Sequence, residues 1–110
     1  MENTKINAEL AKGNKLCDLN RYEEAIGHFD KALGIDPNNE IAYNNKGVAL
    51  DAIGKTEKAI ECYDKAIEVN PKYEVAWYNK ASALSHMNKH EEALKTYDKA
   101  IEINPKYESA

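Results

Sequence analysis

Along residues 22–35 the apolar positions fall at Ala25, Phe29, Ala32 and Leu33, and along 56–69 at Ala59, Tyr63, Ala66 and Ile67. Steps of three and four residues gather each set on one face of a helix, with polar positions on the other. Read along the whole chain, this pattern predicts six helices near 5–18, 22–35, 40–52, 56–69, 74–86 and 90–103. Asn20, Gly54 and Asn88 stand where the first helix of each pair should stop, and Asn and Gly best tolerate the left-handed turn that ends a helix. Asp36-Pro37, Asn70-Pro71 and Asn104-Pro105 should end the second helix, because a residue before proline avoids the helical region. Acids open the second helices (Glu23, Glu24, Glu57, Glu91, Glu92), facing the positive end of the helix dipole.

The pattern repeats with a period of 34. Residues 40–73 and 74–107 agree at 19 of 34 positions, and 6–39 follow the same register with more drift. Gly13, Gly47 and Ala81 coincide, as do Phe29, Tyr63 and Tyr97, and Pro37, Pro71 and Pro105. A repeated helix pair cannot bury its apolar face alone, so such units stack. The small residue of the first helix should sit at the crossing of the pair. Gly47 is expected to face Ala59 or Ala66, with Tyr43, Leu50 and Tyr63 alongside and the aromatics, Trp77 and Tyr97 included, inside the packing.

This skeleton resembles the tetratricopeptide repeat (TPR) family, a pattern carried by Trp77, Ala81, Leu84, Ala93, Tyr97 and Pro105 and by Tyr43, Gly47, Leu50, Ala59, Tyr63 and Pro71. The first copy has Glu9 where an aromatic is usual, and Lys12, Lys46 and Lys80 stand where the family favours leucine. The resemblance implies an all-α, right-handed superhelical solenoid of three antiparallel helix pairs in one domain, with repeats at 6–39, 40–73 and 74–107. Residues 108–110 would then begin a fourth first helix.

Composition narrows the function. Charged residues make up 31%, net charge is −4 and the mean hydropathy is −0.73, which suits an elongated fold and not a nucleic-acid binder. No apolar run reaches the length of a membrane span, and the first ten residues lack the apolar core of a signal peptide. Cys17 and Cys62 have no motif spacing and read as reduced thiols of a cytoplasmic protein. His86 and His90 are four apart, but Asn88 breaks the face between them, so they read as a solvated connector and not a metal site. His28, Cys62 and Thr96 share one slot, expected on the polar side of the second helices. No nucleophile elbow, phosphate loop or catalytic constellation is present, so neither an enzyme nor a cofactor is expected.

In this family the concave side, lined by the first helices, usually holds a peptide. The resemblance maps that groove onto Leu10 and Asn14 of the first helix, and onto Ile41, Asn44, Asn45 and Val48 of the third. Val75, Tyr78, Asn79 and Ser82 complete it from the fifth. An asparagine amide pairs with both N–H and C=O of an extended chain, so Asn14, Asn45 and Asn79 would follow a ligand's backbone. Some co-chaperone TPR domains clamp a chaperone's C-terminal carboxylate with two asparagines and a set of basic side chains. Asn14 and Asn45 match the asparagines, but the basic slots hold Leu10, Val75 and Asn79. An acidic chaperone tail is therefore excluded at this level, and a neutral or mildly basic protein segment is favoured. The alternative is self-association, or membership in a longer array, through Leu94, Ile101 and Ile103 of an uncapped last helix.

Overall fold

The structure, a computed structural model, describes residues 2–106. The six predicted helices are α1 (Glu2–Asp18), α2 (Tyr22–Ile35), α3 (Glu40–Ala52), α4 (Thr56–Val69), α5 (Glu74–His86) and α6 (His90–Ile103). Five have the predicted bounds. The first starts earlier, because its opening turn, with Asn3, Thr4 and Lys5 exposed, carries no buried stripe to read. The expected fourth helix at 108–110 lies outside the described residues.

Within each pair the turn closes the same way. Asn20, Gly54 and Asn88 have φ of 61°, 86° and 62°. The next amide reaches back to close the turn, Arg21 N to Leu16 O at 2.8 Å, and Lys55 N to Leu50 O and Lys89 N to Leu84 O at 2.9 Å. This is the Schellman arrangement, which satisfies carbonyls that the helix end leaves open. Asp36, Asn70 and Asn104 are extended, and each stops its helix before a proline.

Consecutive helices pack against one another along a body 40 Å long. In addition, α1 touches α3 and α3 touches α5, whereas among the described residues no contact joins α2 to α4 or α4 to α6. The first helices of the pairs are thus crowded and the second helices splayed. The stack bends toward α1, α3 and α5, which line its concave side.

The core departs from expectation at the small residues. A Cβ added at Gly47 would lie 2.5 Å from Cε1 of Tyr63, and one added at Gly13 would lie 2.4 Å from Cε1 of Phe29. Each glycine therefore receives an aromatic ring, and not Ala59 or Ala66. Phe29 and Tyr63 are buried, and burial pushes the Tyr63 hydroxyl well above the usual tyrosine range. Tyr97 is only half-buried. Ala81 stands in the glycine slot of its repeat, and the Tyr97 ring rests edge-on against Tyr78 with centroids 5.4 Å apart. Tyr43 and Trp77 are also half-buried. Nε1 of Trp77 donates to Pro71 O at 2.8 Å, and the Lys99 ammonium lies 6.0 Å above the ring.

Candidate functional site

On the concave side four asparagine amides join three helices. Asn79 Nδ2 on α5 donates to Asn44 Oδ1 on α3 at 3.0 Å. Asn44 Nδ2 donates to Asn45 Oδ1 at 3.3 Å, and Asn45 Nδ2 donates to Asn14 Oδ1 on α1 at 3.0 Å. The series ends on the amide nitrogen of Asn14 and the carbonyl oxygen of Asn79, which have no hydrogen-bond partner among the described residues. Amides linked in series hold one another in place and present a fixed polarity.

The register places these side chains. Leu10, Asn44 and Tyr78 share one slot, which the first helix of the following repeat covers. Leu10 is 8% exposed and Asn44 2%, whereas Tyr78, with no following helix among the described residues, is 41% exposed. Leu10 is thus core, packed with Ile6, Phe29 and Ala42, and does not line the groove. Asn44 lies beneath the groove, where it holds Asn45 and Asn79 and is out of a ligand's reach. Ile41 and Val48 are exposed, Asn14 is exposed, and Asn45, Val75, Asn79 and Ser82 are half-buried. These seven with Tyr78 form the accessible strip: amides flanked by apolar side chains.

The last turns of α3 and α5 are joined by a contact that spacing alone does not reveal. Asp51 Oδ2 lies 3.0 Å from His86 Nδ1, and Asp51 Oδ1 accepts from Thr56 Oγ1 at 2.8 Å. The turn at Asn88 predicts a solvated connector at His86, and residues 35 apart show no motif that would pair it with Asp51. Between α1 and α2, His28 Nδ1 lies 2.9 Å from Glu9 Oε2, and this bond holds the Glu9 carboxyl below the usual carboxylate range. His28, Cys62 and Thr96 therefore do not sit on a polar face. His28 meets α1, half-buried Cys62 packs against the core, and Thr96 is buried with its hydroxyl donating to Glu92 O at 2.7 Å. Burial raises both thiols, Cys17 and Cys62, away from the reactive thiolate. Among the described residues no group of three His, Cys, Asp or Glu side chains is arranged to hold a metal ion. No described helix is long and apolar enough to cross a membrane.

The lysines at 46 and 80 also have a role beyond covering apolar surface. Lys46 Nζ meets Asp30 Oδ1 at 2.8 Å and Lys80 Nζ meets Asp64 Oδ1 at 2.7 Å, each across a junction between repeats. Burial disfavours the Lys46 ammonium, and the bond to Asp30 outweighs it, so its pKa lies above the usual lysine range. Lys12, with no preceding helix among the described residues, turns back toward Glu9 at 3.7 Å.

Paired helices, Schellman turns and stacking through the first helices define an all-α repeat solenoid. The chain belongs to the tetratricopeptide repeat family: the family's profile matches residues 41–73 and 75–107, and a further TPR repeat profile matches 13–54. The fold is similar to the Sgt2 TPR domain from Aspergillus fumigatus, with a TM-score of 0.88 and 33% identity over 91% of this chain and 66% of that one. It is also similar to the first TPR of Spaghetti (RPAP3) bound to HSP90 peptide SRMEEVD, with a TM-score of 0.90 and 29% identity over 93% of this chain and 83% of that one. The Hsp70-Hsp90 organizing protein of Triticum aestivum is 44% identical over 43 residues, 39% of this chain. The chain spans only 7% of that protein's length.

The exclusion of an acidic chaperone tail is corrected by this likeness, because the Spaghetti domain is bound to a peptide ending in Glu-Glu-Val-Asp. Part of the reason is structural. Leu10 is buried, so its lack of charge says nothing about the groove.

Proposed function

We propose that the chain is a non-catalytic interaction scaffold that holds an extended peptide segment of a partner protein along α1, α3 and α5. The carrying observation is the strip itself: a fixed series of amides ending on an open donor and an open acceptor, flanked by exposed Ile41, Val48 and Tyr78. An extended backbone offers the complementary C=O and N–H groups. The apolar flanks suit alternate side chains of such a segment. The HSP90 peptide of the Spaghetti domain supplies a first probe of known sequence.

The test uses Asn45→Ala combined with Asn79→Ala. Ligands selected from a random displayed peptide library, with SRMEEVD as a separate arm, are titrated by calorimetry against both proteins. Losing two amide contacts at about 0.5–1.5 kcal/mol each weakens binding roughly tenfold. If the selected ligands bind the double variant with unchanged affinity, the groove reading is wrong.

A further inference from the structure

The two junctions along the concave side position the same amide in different ways. Asn45 and Asn79 share one slot of the repeat, 34 residues apart. Where α3 meets α1, Asn45 Nδ2 reaches Asn14 Oδ1 through an exposed bond at 3.0 Å. Where α5 meets α3, the slot of Asn14 is filled by Val48, 39% exposed, whose side chain accepts no hydrogen bond. Asn79 Nδ2 turns instead to Asn44 Oδ1 at 3.0 Å, in a partly buried bond. Asn44 Nδ2 in turn reaches its neighbour Asn45 Oδ1 at 3.3 Å.

Asn44 is an unexpected core residue. Its slot holds Leu10 in the first repeat and Tyr78 in the third, and Leu10 is buried under α3. The covering helices are alike: α3 carries Ala42, Asn45 and Lys46, and α5 carries Ala76, Asn79 and Lys80 at the same positions. A leucine that fits beneath α3 therefore fits beneath α5. It would bury apolar surface, whereas an amide 2% exposed gives up its water for two hydrogen bonds. Packing alone does not call for asparagine here. The two amides that Asn44 holds, Asn45 and Asn79, both belong to the accessible strip.

We propose that Asn44 is a positioning residue of the groove, an inference that rests on the peptide-binding reading of that site. It touches no ligand. It fixes the rotamers of Asn45 and Asn79 before a peptide arrives, and so removes the cost of ordering them on binding. Because its bond to Asn79 is partly buried, a ligand does not displace it, and Asn79 Oδ1 stays turned toward a backbone N–H of the peptide.

The test is Asn44→Leu, titrated by calorimetry with a peptide selected on the wild-type protein from the random displayed library. Affinity should fall about fivefold while the urea midpoint holds or rises. The side-chain amide protons of Asn79 should exchange with water more slowly than those of exposed Asn38, and this protection should vanish in Asn44→Leu. Val48→Asn gives α5 the partner that α3 has in Asn14. In the Val48→Asn background, Asn44→Leu should therefore cost less than about twofold in affinity. Leu94→Glu is the control, on α6 where Leu94 is 63% exposed and Ile101 and Ile103 are half-buried, and it should leave affinity unchanged.

Affinity kept in Asn44→Leu but lowered in Asn45→Ala plus Asn79→Ala overturns this proposal and leaves the groove standing. Affinity kept in both, or lost in Leu94→Glu, overturns the groove and the proposal with it. An equal loss in the two Val48 backgrounds, or an Asn79 amide that exchanges as fast as Asn38 in the wild type, overturns the proposal alone. Should Asn44→Leu fail to fold, Asn44→Ala carries the same titrations.

Discussion

The second and third repeats agree at 19 of 34 positions, yet the same slots meet different surroundings. Tyr63 is 2% exposed and Tyr97 is half-buried. Asn44 is buried while Tyr78 is exposed, and Asp64 is paired while Asp98 makes no ion pair among the described residues. The difference arises from the neighbour and not from the repeat itself: α5 covers α3 and α4, and no described helix covers α5 and α6 in turn. In a solenoid each unit's burial is conferred by the next one, so stability is a sum over units and the junctions between them.

The largest expected effect breaks this contrast at the aromatic slot. Tyr63→Ala should cost about 3–5 kcal/mol, the usual penalty for emptying a core ring. Tyr97→Ala should cost about 1–2 kcal/mol, because its ring keeps part of its water. Urea unfolding of the two variants measures both. Equal losses would show that the last repeat is as well covered as the middle one.

The glycine slot gives a smaller separation. Gly47→Ala drives a Cβ into the Tyr63 ring and should cost about 1–3 kcal/mol. Ala81 already fills that slot in the third repeat, where Tyr97 is half-buried. Gly27, on an exposed helix surface with nothing within 4 Å, is the control: Gly27→Ala should raise stability by about 0.5–1 kcal/mol. Thermal melts in which both alanines shift Tm the same way would contradict the ring-on-glycine packing.

The smallest contrast is electrostatic. Asp64→Asn removes a partly exposed bridge to Lys80 and should cost about 0.2–1 kcal/mol, while Asp98→Asn should cost nothing measurable. The gap should shrink in high salt, which a melt at two ionic strengths resolves.

Much of the fold was legible because its determinants are local. Helical spacing, the left-handed Asn20, Gly54 and Asn88, and the residues before proline each act within a turn or two of the chain. The site was less legible because its determinants cross repeats. Leu10 reads as a groove residue until α3 is laid over it, and Asn44 likewise until α5 is in place. The amide series links residues 31 and 35 apart, and His86 meets Asp51 at 35, separations at which no motif signals contact. The spacing marks Gly47 as a close crossing without saying whether an alanine or a ring fills the gap, and the Tyr63 ring fills it.

The groove is tested most directly by following the asparagine side-chain amide resonances of the isotopically labelled protein during titration with a display-selected peptide. Peptide bound along the concave side shifts Asn14, Asn45 and Asn79 together with the backbone of Val48 and Val75. The outer surfaces of α2 and α4 stay still. Shifts confined to α2, α4 or α6, with the four amides unmoved, would contradict the assignment of this groove as the binding site.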